Sequence, residues 1–119
     1  DLRSVEQGFK NEFDDLDAKS WHVTIYDHGE PVGTGRVYQK DGAWHAGRIA
    51  VIENYRGKGV GRTIMQNLEA KVKELGGTSV ELSAQLDKQG FYKRNGYKPQ
   101  GEVYNDEHCP HIDMKKELA

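Results

Sequence analysis

The chain has 119 residues, of which 30% are charged and 35% are hydrophobic, and its formal net charge at pH 7 is −2. This length suits one domain with one modest core, so residues 1–119 are expected to fold as a single unit. The small negative charge gives no general attraction to nucleic acid, and no apolar run approaches the roughly 20 residues that span a bilayer, so neither a nucleic acid nor a membrane is an expected partner.

The first 20 residues are polar and carry no clear strand pattern. Phe9, Phe13 and Leu16 fall at helical spacing, which predicts a short helix or a helical turn. The acidic residues interleaved with them are interpreted as a solvated face.

Three strands are predicted next. Apolar and polar residues alternate from Trp21 to Tyr26, as in a half-buried strand. A turn at 27–30 and the Asp41-Gly42 pair, a strong hairpin signal, separate this strand from two others over Pro31–Gln39 and Trp44–Val51. The short turns predict that the three strands are consecutive and antiparallel.

The second half of the chain alternates helices and strands. Residues 59–75 form the best-defined helix, because apolar residues recur there every four positions. An alternating strand follows over 79–84, and a strand–helix–strand unit makes its two strands parallel. A short helix over 86–95 and two more strands, one beginning at Tyr97 and one over 111–116, complete the order.

The turn Arg56-Gly57-Lys58-Gly59-Val60-Gly61 joins the third strand to the long helix. Its glycines allow tight turning, and the helix that follows offers unpaired N–H groups and a positive dipole end to an anion. Arg56, Lys58 and Arg62 add positive charge, so the turn suggests a pyrophosphate cradle, the alternative being an ordinary turn with solvated basic residues. It is not a P-loop, because Gly61 is followed by Arg62, and it lacks the dinucleotide-binding glycine spacing.

Cys109 is the only cysteine, so no intrachain disulfide can form, which favours a reducing cytoplasm. The string His108-Cys109-Pro110-His111 does not supply the four ligands at helix or turn spacing that a structural zinc site needs, so no metal is expected. A cysteine nucleophile activated by a neighbouring histidine has equally little support.

Two motifs resemble a known family. The Arg-x-x-Gly-x-Gly pattern of residues 56–61 resembles the acetyl-CoA motif of the GNAT acetyltransferases, and residues 91–97 resemble the GNAT motif Phe-Tyr-x-x-x-Gly-Phe. The resemblance implies the α/β (α+β) GNAT acyl-CoA N-acyltransferase fold. In that fold a mixed, mostly antiparallel sheet is flanked by helices, and two strands splay around the acetyl-CoA cofactor.

Three shorter segments, at 6–8, 101–104 and 110–114, look like the ElaA/YjcF-like branch of bacterial GNAT proteins. Members of the family carry a first strand and a longer helix before the segment that corresponds to Glu6-Gln7-Gly8. Only Asp1–Val5 precede it here, so we expect that residues are missing from this chain or that the first strand is absent.

The resemblance also implies which residues bind the cofactor. The backbone of Ile49, Ala50 and Val51 is expected to contact pantetheine, although a plain core strand would show the same pattern. Gln85 stands where many GNAT proteins place an asparagine that contacts the cofactor arm. The pyrophosphate is expected to be held by the turn and the residue after it: Arg56, Gly57, Lys58, Gly59, Val60, Gly61 and Arg62.

Two side chains are candidates for proton transfer. Tyr92 matches the motif tyrosine that protonates the leaving thiolate, to which a phenol with a pKa near 10 is suited, the alternative being packing beside Phe91. His111 has a suitable intrinsic pKa for the base that deprotonates the acceptor amine. Other candidates for that base stay open: Glu53, Glu81, His45 and, through a water, Glu6.

The function implied is direct N-acetyl transfer from acetyl-CoA to a primary amine of a small molecule or an amino acid. The alternatives are an acyl-CoA-binding protein with little or no turnover and a nucleotide-phosphate binding protein. The sequence does not identify the acceptor, because the acceptor site is walled by loops for which there is no general sequence code. The resemblance is also compatible with a homodimer.

Overall fold

The computed structural model describes the backbone of residues 9–17 and all of residues 20–119. The strands are β1 (Phe9–Asp17), β2 (Ser20–Asp27), β3 (Glu30–Lys40), β4 (Ala43–Val51), β5 (Ser79–Gln85), β6 (Lys98–Asp106) and β7 (Cys109–Glu117). The helices are α1 (Val60–Glu74) and α2 (Gln89–Arg94), and single 3₁₀ turns lie at Glu53–Tyr55 and Leu86–Lys88. Over the described ranges, seven strands form one sheet in the order β1-β2-β3-β4-β5-β7-β6.

The expected antiparallel meander is confirmed. β2 pairs with β3 and β3 with β4, both antiparallel. Two-residue turns join β2 to β3, β3 to β4 and β6 to β7, and both residues of each turn have positive φ: His28-Gly29, Asp41-Gly42 and Glu107-His108. Turns of this hand match the twist of the paired strands, so their chemistry fixes the register of each hairpin.

The prediction for the N-terminal segment is wrong over its described part. Residues 9–17 form β1, which pairs antiparallel with β2 from Phe9↔Asp27 to Asp17↔Ser20. A spacing of four, as between Phe9 and Phe13, puts two residues on one face of a strand as well as on one face of a helix. The pattern therefore does not distinguish a strand from a helix. The segment at 6–8, and the expectation about residues before it, lie outside the described residues.

The crossover from β4 through α1 to β5 gives the parallel pair that the sequence predicts. Pairing between these two strands is confined to His45↔Glu81, near the middle of β5 and the start of β4. Beyond that pair the strands separate, so the sheet opens toward the carboxyl ends of β4 and β5. β5 continues instead as the antiparallel partner of β7, from Ser79↔Glu117 to Gln85↔His111.

The core lies between the sheet and α1. The inward stripe of α1 includes Val60, Ile64, Leu68 and Val72, all of which are at most 1% exposed. The helix approaches β3 closely because β3 carries glycine there: a Cβ on Gly33 would lie 2.6 Å from Val60 Cγ1. The glycines that weaken β3 as a strand are therefore what seats the helix on the sheet.

Candidate active site

A β-bulge lies in β4 just before the sheet opens. The register passes from Thr34↔Ala50 to Arg36↔Gly47, so β4 holds one residue more than β3 over this stretch. Arg48 takes up the extra residue with a φ of 54°, which is uncommon for a residue other than glycine. The resemblance to the GNAT family implies a bulge in this strand, although no local sequence pattern marks Arg48 as the residue that takes it up.

The bulge reverses which side chains of β4 face the core. Before it, Trp44 and Ala46 are buried. After it, Ile49 and Val51 pack against the core while Ala50 is exposed. Because the two inward side chains are engaged in packing, this segment offers a ligand its backbone and the small Ala50 methyl group.

The open sheet leaves one edge of β4 facing a gap. On the opposite edge β4 stays paired with β3 as far as Gly33↔Val51, and the Ile52 amide donates to the Val32 carbonyl at 3.0 Å. On the gap side, no register pair among the described residues follows His45↔Glu81. A strand edge of this kind can hydrogen-bond an extended ligand as if it were another strand.

The turn after β4 has the backbone that an anion cradle requires. Gly57 and Gly59 adopt φ values of 79° and 86°, in the left-handed region that favours glycine. Nothing lies within 4 Å of a Cβ built on Gly57, so that glycine is required by its conformation and not by lack of space. Thr63 donates to the Gly59 carbonyl at 3.0 Å, and the amides before Thr63 are those that an α-helix leaves without an intrahelical acceptor.

The amino end of α1 is open to an anion. Within the described residues no side chain caps it, and its first turn holds no acidic residue. Arg56, Lys58 and Arg62 are exposed around it. Val60 is buried, so its side chain belongs to the core and only its amide faces this end of the helix. The dipole, the amides and the cations all favour a phosphate-like ligand here.

Tyr55 attaches this turn to the meander. Its hydroxyl donates to Asp27 Oδ2 at 2.5 Å, and Lys58 Nζ lies 5.1 Å from the centre of its ring. The hydrogen bond to Asp27 is the largest cause that raises the pKa of Tyr55. The bond joins residues 28 positions apart, so no local sequence pattern indicates that Tyr55 contacts Asp27.

The two family motifs meet in space at Gly61. A Cβ on Gly61 would lie 3.0 Å from Cε1 and Cζ of Phe91, on α2. The last glycine of the turn is therefore needed for the close packing of α2 against α1. This contact explains why a glycine turn and an aromatic helix separated by 30 positions occur together.

Tyr92 lies in the helical layer. Its ring packs edge-on against Phe91 at a centroid distance of 5.0 Å and against Tyr97 at 6.0 Å. Burial raises the pKa of Tyr92 above its ordinary value of 10, so its hydroxyl keeps its proton at neutral pH. The packing and acid interpretations are thus compatible with each other.

His111 lies on the opposite face of the sheet. It alternates with Ile112 and Met114 of β7, which are buried in the core, so its side chain points away from α1. Nδ1 is 2.9 Å from the Cys109 carbonyl oxygen. Because a carbonyl can only accept, Nδ1 carries the proton, and the Nε2 lone pair is available to accept another.

Gln85 is the register partner of His111 and is exposed at the end of β5. Two positions earlier on the same face, Ser83 Oγ and the Tyr104 hydroxyl are 2.5 Å apart, and Tyr104 donates to Asp113 Oδ1 at 2.6 Å. The Tyr104 ring also stacks on His111 at a centroid distance of 6.1 Å. The sequence did not predict this cluster, although the alternation along β5 and β7 carried the signal.

The other candidates for a base are less favourably placed. His45 stacks on Tyr38 at 5.3 Å and pairs with Glu81 where β4 and β5 are still joined, before the sheet opens. Glu53 lies in the 3₁₀ turn on the way to the glycine turn. Glu6 lies outside the described residues.

Comparison with known proteins gives the family. The family model described as "Acetyltransferase (GNAT) domain" matches residues 3–118. The chain belongs to the GNAT acetyltransferase family. It is 38% identical over 109 residues to the uncharacterized N-acetyltransferase YjcF of Bacillus subtilis, covering 91% of this chain and 78% of YjcF.

Solved structures agree with this assignment. Escherichia coli ElaA has a TM-score of 0.72 at 31% identity, covering 87% of this chain and 75% of ElaA. An aminoglycoside 6′-N-acetyltransferase complexed with coenzyme A shares the fold, with a TM-score of 0.77 at 22% identity, covering 87% of this chain and 76% of the other. The resemblance to the ElaA/YjcF-like branch and the expected GNAT fold are both confirmed.

The GNAT protein is an acetyl-CoA-dependent acetyltransferase. Its structure offers what that cofactor needs, namely an unpaired strand edge beside an open, basic helix end. None of the helices in the described part of the chain has the length and apolar character that a membrane crossing requires.

Proposed function

We propose that this protein transfers the acetyl group of acetyl-CoA directly to a primary amine of a small molecule or an amino acid. The observation that carries the proposal is the gap between β4 and β5, which opens beside the anion cradle. In this proposal Tyr92 acts on the gap from the helical side, and His111, whose register partner is Gln85 at the end of β5, acts from the other face of the sheet. Donor and acceptor can therefore approach one reaction point from opposite sides.

The donor is held by the backbone and by the turn. The edge of Ile49, Ala50 and Val51 binds pantetheine, and Gln85 supports it from β5. The pyrophosphate rests on the turn residues Arg56, Gly57, Lys58, Gly59, Val60 and Gly61, with Arg62 beside them. When bound, acetyl-CoA supplies an activated acetyl thioester. A backbone N–H near Val51 stabilises negative charge on its carbonyl oxygen.

Two side chains hold the protons of the reaction. His111 Nε2 accepts the proton of the acceptor ammonium, since Nδ1 is occupied by its bond to the Cys109 carbonyl. Tyr92 keeps a proton, because burial raises its pKa, and can donate that proton to the departing sulfur. No metal and no covalent enzyme intermediate are required. The single cysteine, Cys109, leads us to place the activity in the cytoplasm.

A thiol-release assay with acetyl-CoA against a panel of amines, amino acids and polyamines tests this function. We expect release that depends on a primary amine and that rises with pH as the amine loses its proton. His111→Gln should lower kcat/KM by about 10²-fold for the best amine, while His22→Gln, a histidine on another strand, should not. Coenzyme A binding with no amine-dependent release would favour an acyl-CoA-binding protein without turnover. Competition by ATP as strong as that by coenzyme A would favour a nucleotide-binding protein.

A further inference from the structure

A polar cluster lies on the face of the sheet opposite α1, at two successive outward register positions. At the first, Ser83 of β5 pairs with Asp113 of β7. At the second, His111 of β7 pairs with Gln85 on one side and with Tyr104 of β6 on the other. Both positions lie beyond the last register pair of β4 with β5, so the β5 members of the cluster border the gap.

Tyr104 holds this cluster together. Its hydroxyl donates to Asp113 Oδ1 at 2.6 Å, and this bond is the largest cause that raises the pKa of Tyr104. Because a hydroxyl has one proton to donate, Ser83 Oγ is the donor in its 2.5 Å contact with Tyr104. The Tyr104 ring also stacks on His111. One side chain therefore positions both the candidate base and a carboxylate.

The carboxylate of Asp113 keeps its charge available to a ligand. Asp113 is exposed, and no ion pair between described residues includes it. Lys115, the next outward residue of β7, pairs instead with Glu117 at 3.4 Å. The other charge that acts on Tyr104 is that of a second carboxylate, Asp106. The charges around the Tyr104 hydroxyl are therefore negative, which favours a cationic ligand.

The carboxylate and the candidate base are spaced for a ligand with two amino groups. Asp113 and His111 are two positions apart on β7, which places them about 7 Å apart on one face of the strand. Four methylene groups in an extended chain separate two amines by about 6 Å, because each bond is about 1.5 Å long. One amine can therefore meet His111 Nε2 while the other meets Asp113.

We propose that Asp113 binds a second ammonium group of the acceptor, so that the preferred acceptor is an aliphatic diamine or polyamine. The proposal rests on the proposed function, because it takes His111 as the base, and it narrows the class of primary amine. Tyr104 is a positioning residue that holds Asp113 and His111 in register. An acceptor with a carboxylate in place of the second ammonium is repelled by Asp113.

Three acceptors of matched length test this assignment. In 1,4-diaminobutane, 1-aminopentane and 5-aminopentanoate, four methylene groups join the reacting amine to an ammonium, a methyl and a carboxylate group. In steady-state kinetics of the full chain, kcat/KM should be about tenfold higher for the diamine than for 1-aminopentane, more than its two equivalent ends alone would give. It should be lowest for 5-aminopentanoate, and the differences should shrink at high salt.

Asp113→Asn keeps an acceptor for Tyr104 and removes the charge. It should lower kcat/KM for the diamine about five- to tenfold, mainly through KM because the lost contact is to a non-reacting end, and leave 1-aminopentane within about twofold of the parent. A purely structural role of Asp113 would lower both values equally. Asp41→Asn makes the same change in the β3–β4 hairpin, at the opposite end of β4 from the gap, and should keep the parental preference.

The outcomes separate this proposal from the proposed function. The assignment of Asp113 is wrong if a parent that acetylates other amines uses the three acceptors equally or not at all. It is also wrong if the preference for the diamine persists in Asp113→Asn. In these cases the acetyltransferase function stands, whereas a parent that acetylates no primary amine of the wider panel contradicts both. Thermal unfolding shows whether each variant is folded, and the order of the three acceptors with the parent decides even if Asp113→Asn is not.

Discussion

Replacing Gly33 by alanine should show how the sheet positions the cofactor end of α1. A Cβ at this position would lie 2.6 Å from Val60 Cγ1, 3.0 Å from Ile64 Cδ1 and 3.3 Å from the Ala50 carbonyl oxygen. Carbon atoms in packed interiors prefer about 3.5–4.0 Å, so the new methyl group overlaps Val60 by about 1 Å. Val60 and Ile64 are at most 1% exposed, so neither side chain can relieve the overlap by turning into solvent.

The expected cost follows from these distances. Overpacking of this kind lowers the free energy of unfolding by about 1–3 kcal/mol. Alanine also restricts the unfolded chain, which raises the free energy of unfolding by about 0.4–1 kcal/mol. We therefore expect Gly33→Ala to lower the free energy of unfolding by about 1–2 kcal/mol in a urea titration. Because Val60 opens α1, displacing it also moves the anion cradle, and coenzyme A should bind more weakly.

Gly47→Ala is the matched control on the neighbouring strand. Nothing lies within 4 Å of a Cβ at Gly47, so only the unfolded-state effect applies, and this variant should be as stable as the parent or slightly more so. Equal stabilities for Gly33→Ala and Gly47→Ala would refute the argument that β3 carries glycine to seat the helix.

Three further predictions concern tyrosines. Tyr92→Phe keeps the ring and should lower kcat by about 10²-fold with an unchanged Kd for coenzyme A; a steady-state kcat within about threefold of the parent contradicts the acid role. Burial, and then Glu69, raise the pKa of Tyr97, so the folded state holds that proton above pH 10 while the unfolded chain loses it. The contribution of Tyr97 to the free energy of unfolding should be fully present below pH 10, and the free energy should fall above pH 10 by about 1.4 kcal/mol per pH unit. Urea titrations at several pH values should show a shallower fall for Tyr97→Phe. Tyr55→Phe removes the donor to Asp27 and should weaken coenzyme A binding about threefold or more by calorimetry; an unchanged Kd would mean that this bond does not hold the turn.

The sequence predicted the parts of the fold that local chemistry decides. Asp41-Gly42 specified a hairpin because both residues tolerate positive φ. The four-residue apolar repeat from Val60 to Val72 specified α1 and the face that it buries. These signals act within a few residues, so reading the chain is enough to find them.

The rest depends on contacts between distant segments. β1 forms through pairing with β2, which overrides an apolar spacing that suits either kind of element. The bulge sits at Arg48, a residue with no preference for positive φ, so no local signal marks it. The packing of Phe91 on Gly61 and the pairing of Glu69 with Lys116 likewise arise only once the helices are seated on the sheet.

The measurement that most directly tests the central claim is calorimetric coenzyme A binding to a protein with a charge placed in the glycine turn. Gly59→Asp puts a carboxylate where the pyrophosphate is expected, and aspartate tolerates the left-handed φ of 86° better than most residues. Gly59→Asn has the same shape without the charge, and Gly42→Asp makes the same change at a left-handed glycine in the β3–β4 hairpin. The account predicts at least about a tenfold loss of affinity in Gly59→Asp, a smaller loss in Gly59→Asn and none in Gly42→Asp. Parental affinity in a folded Gly59→Asp protein would contradict it.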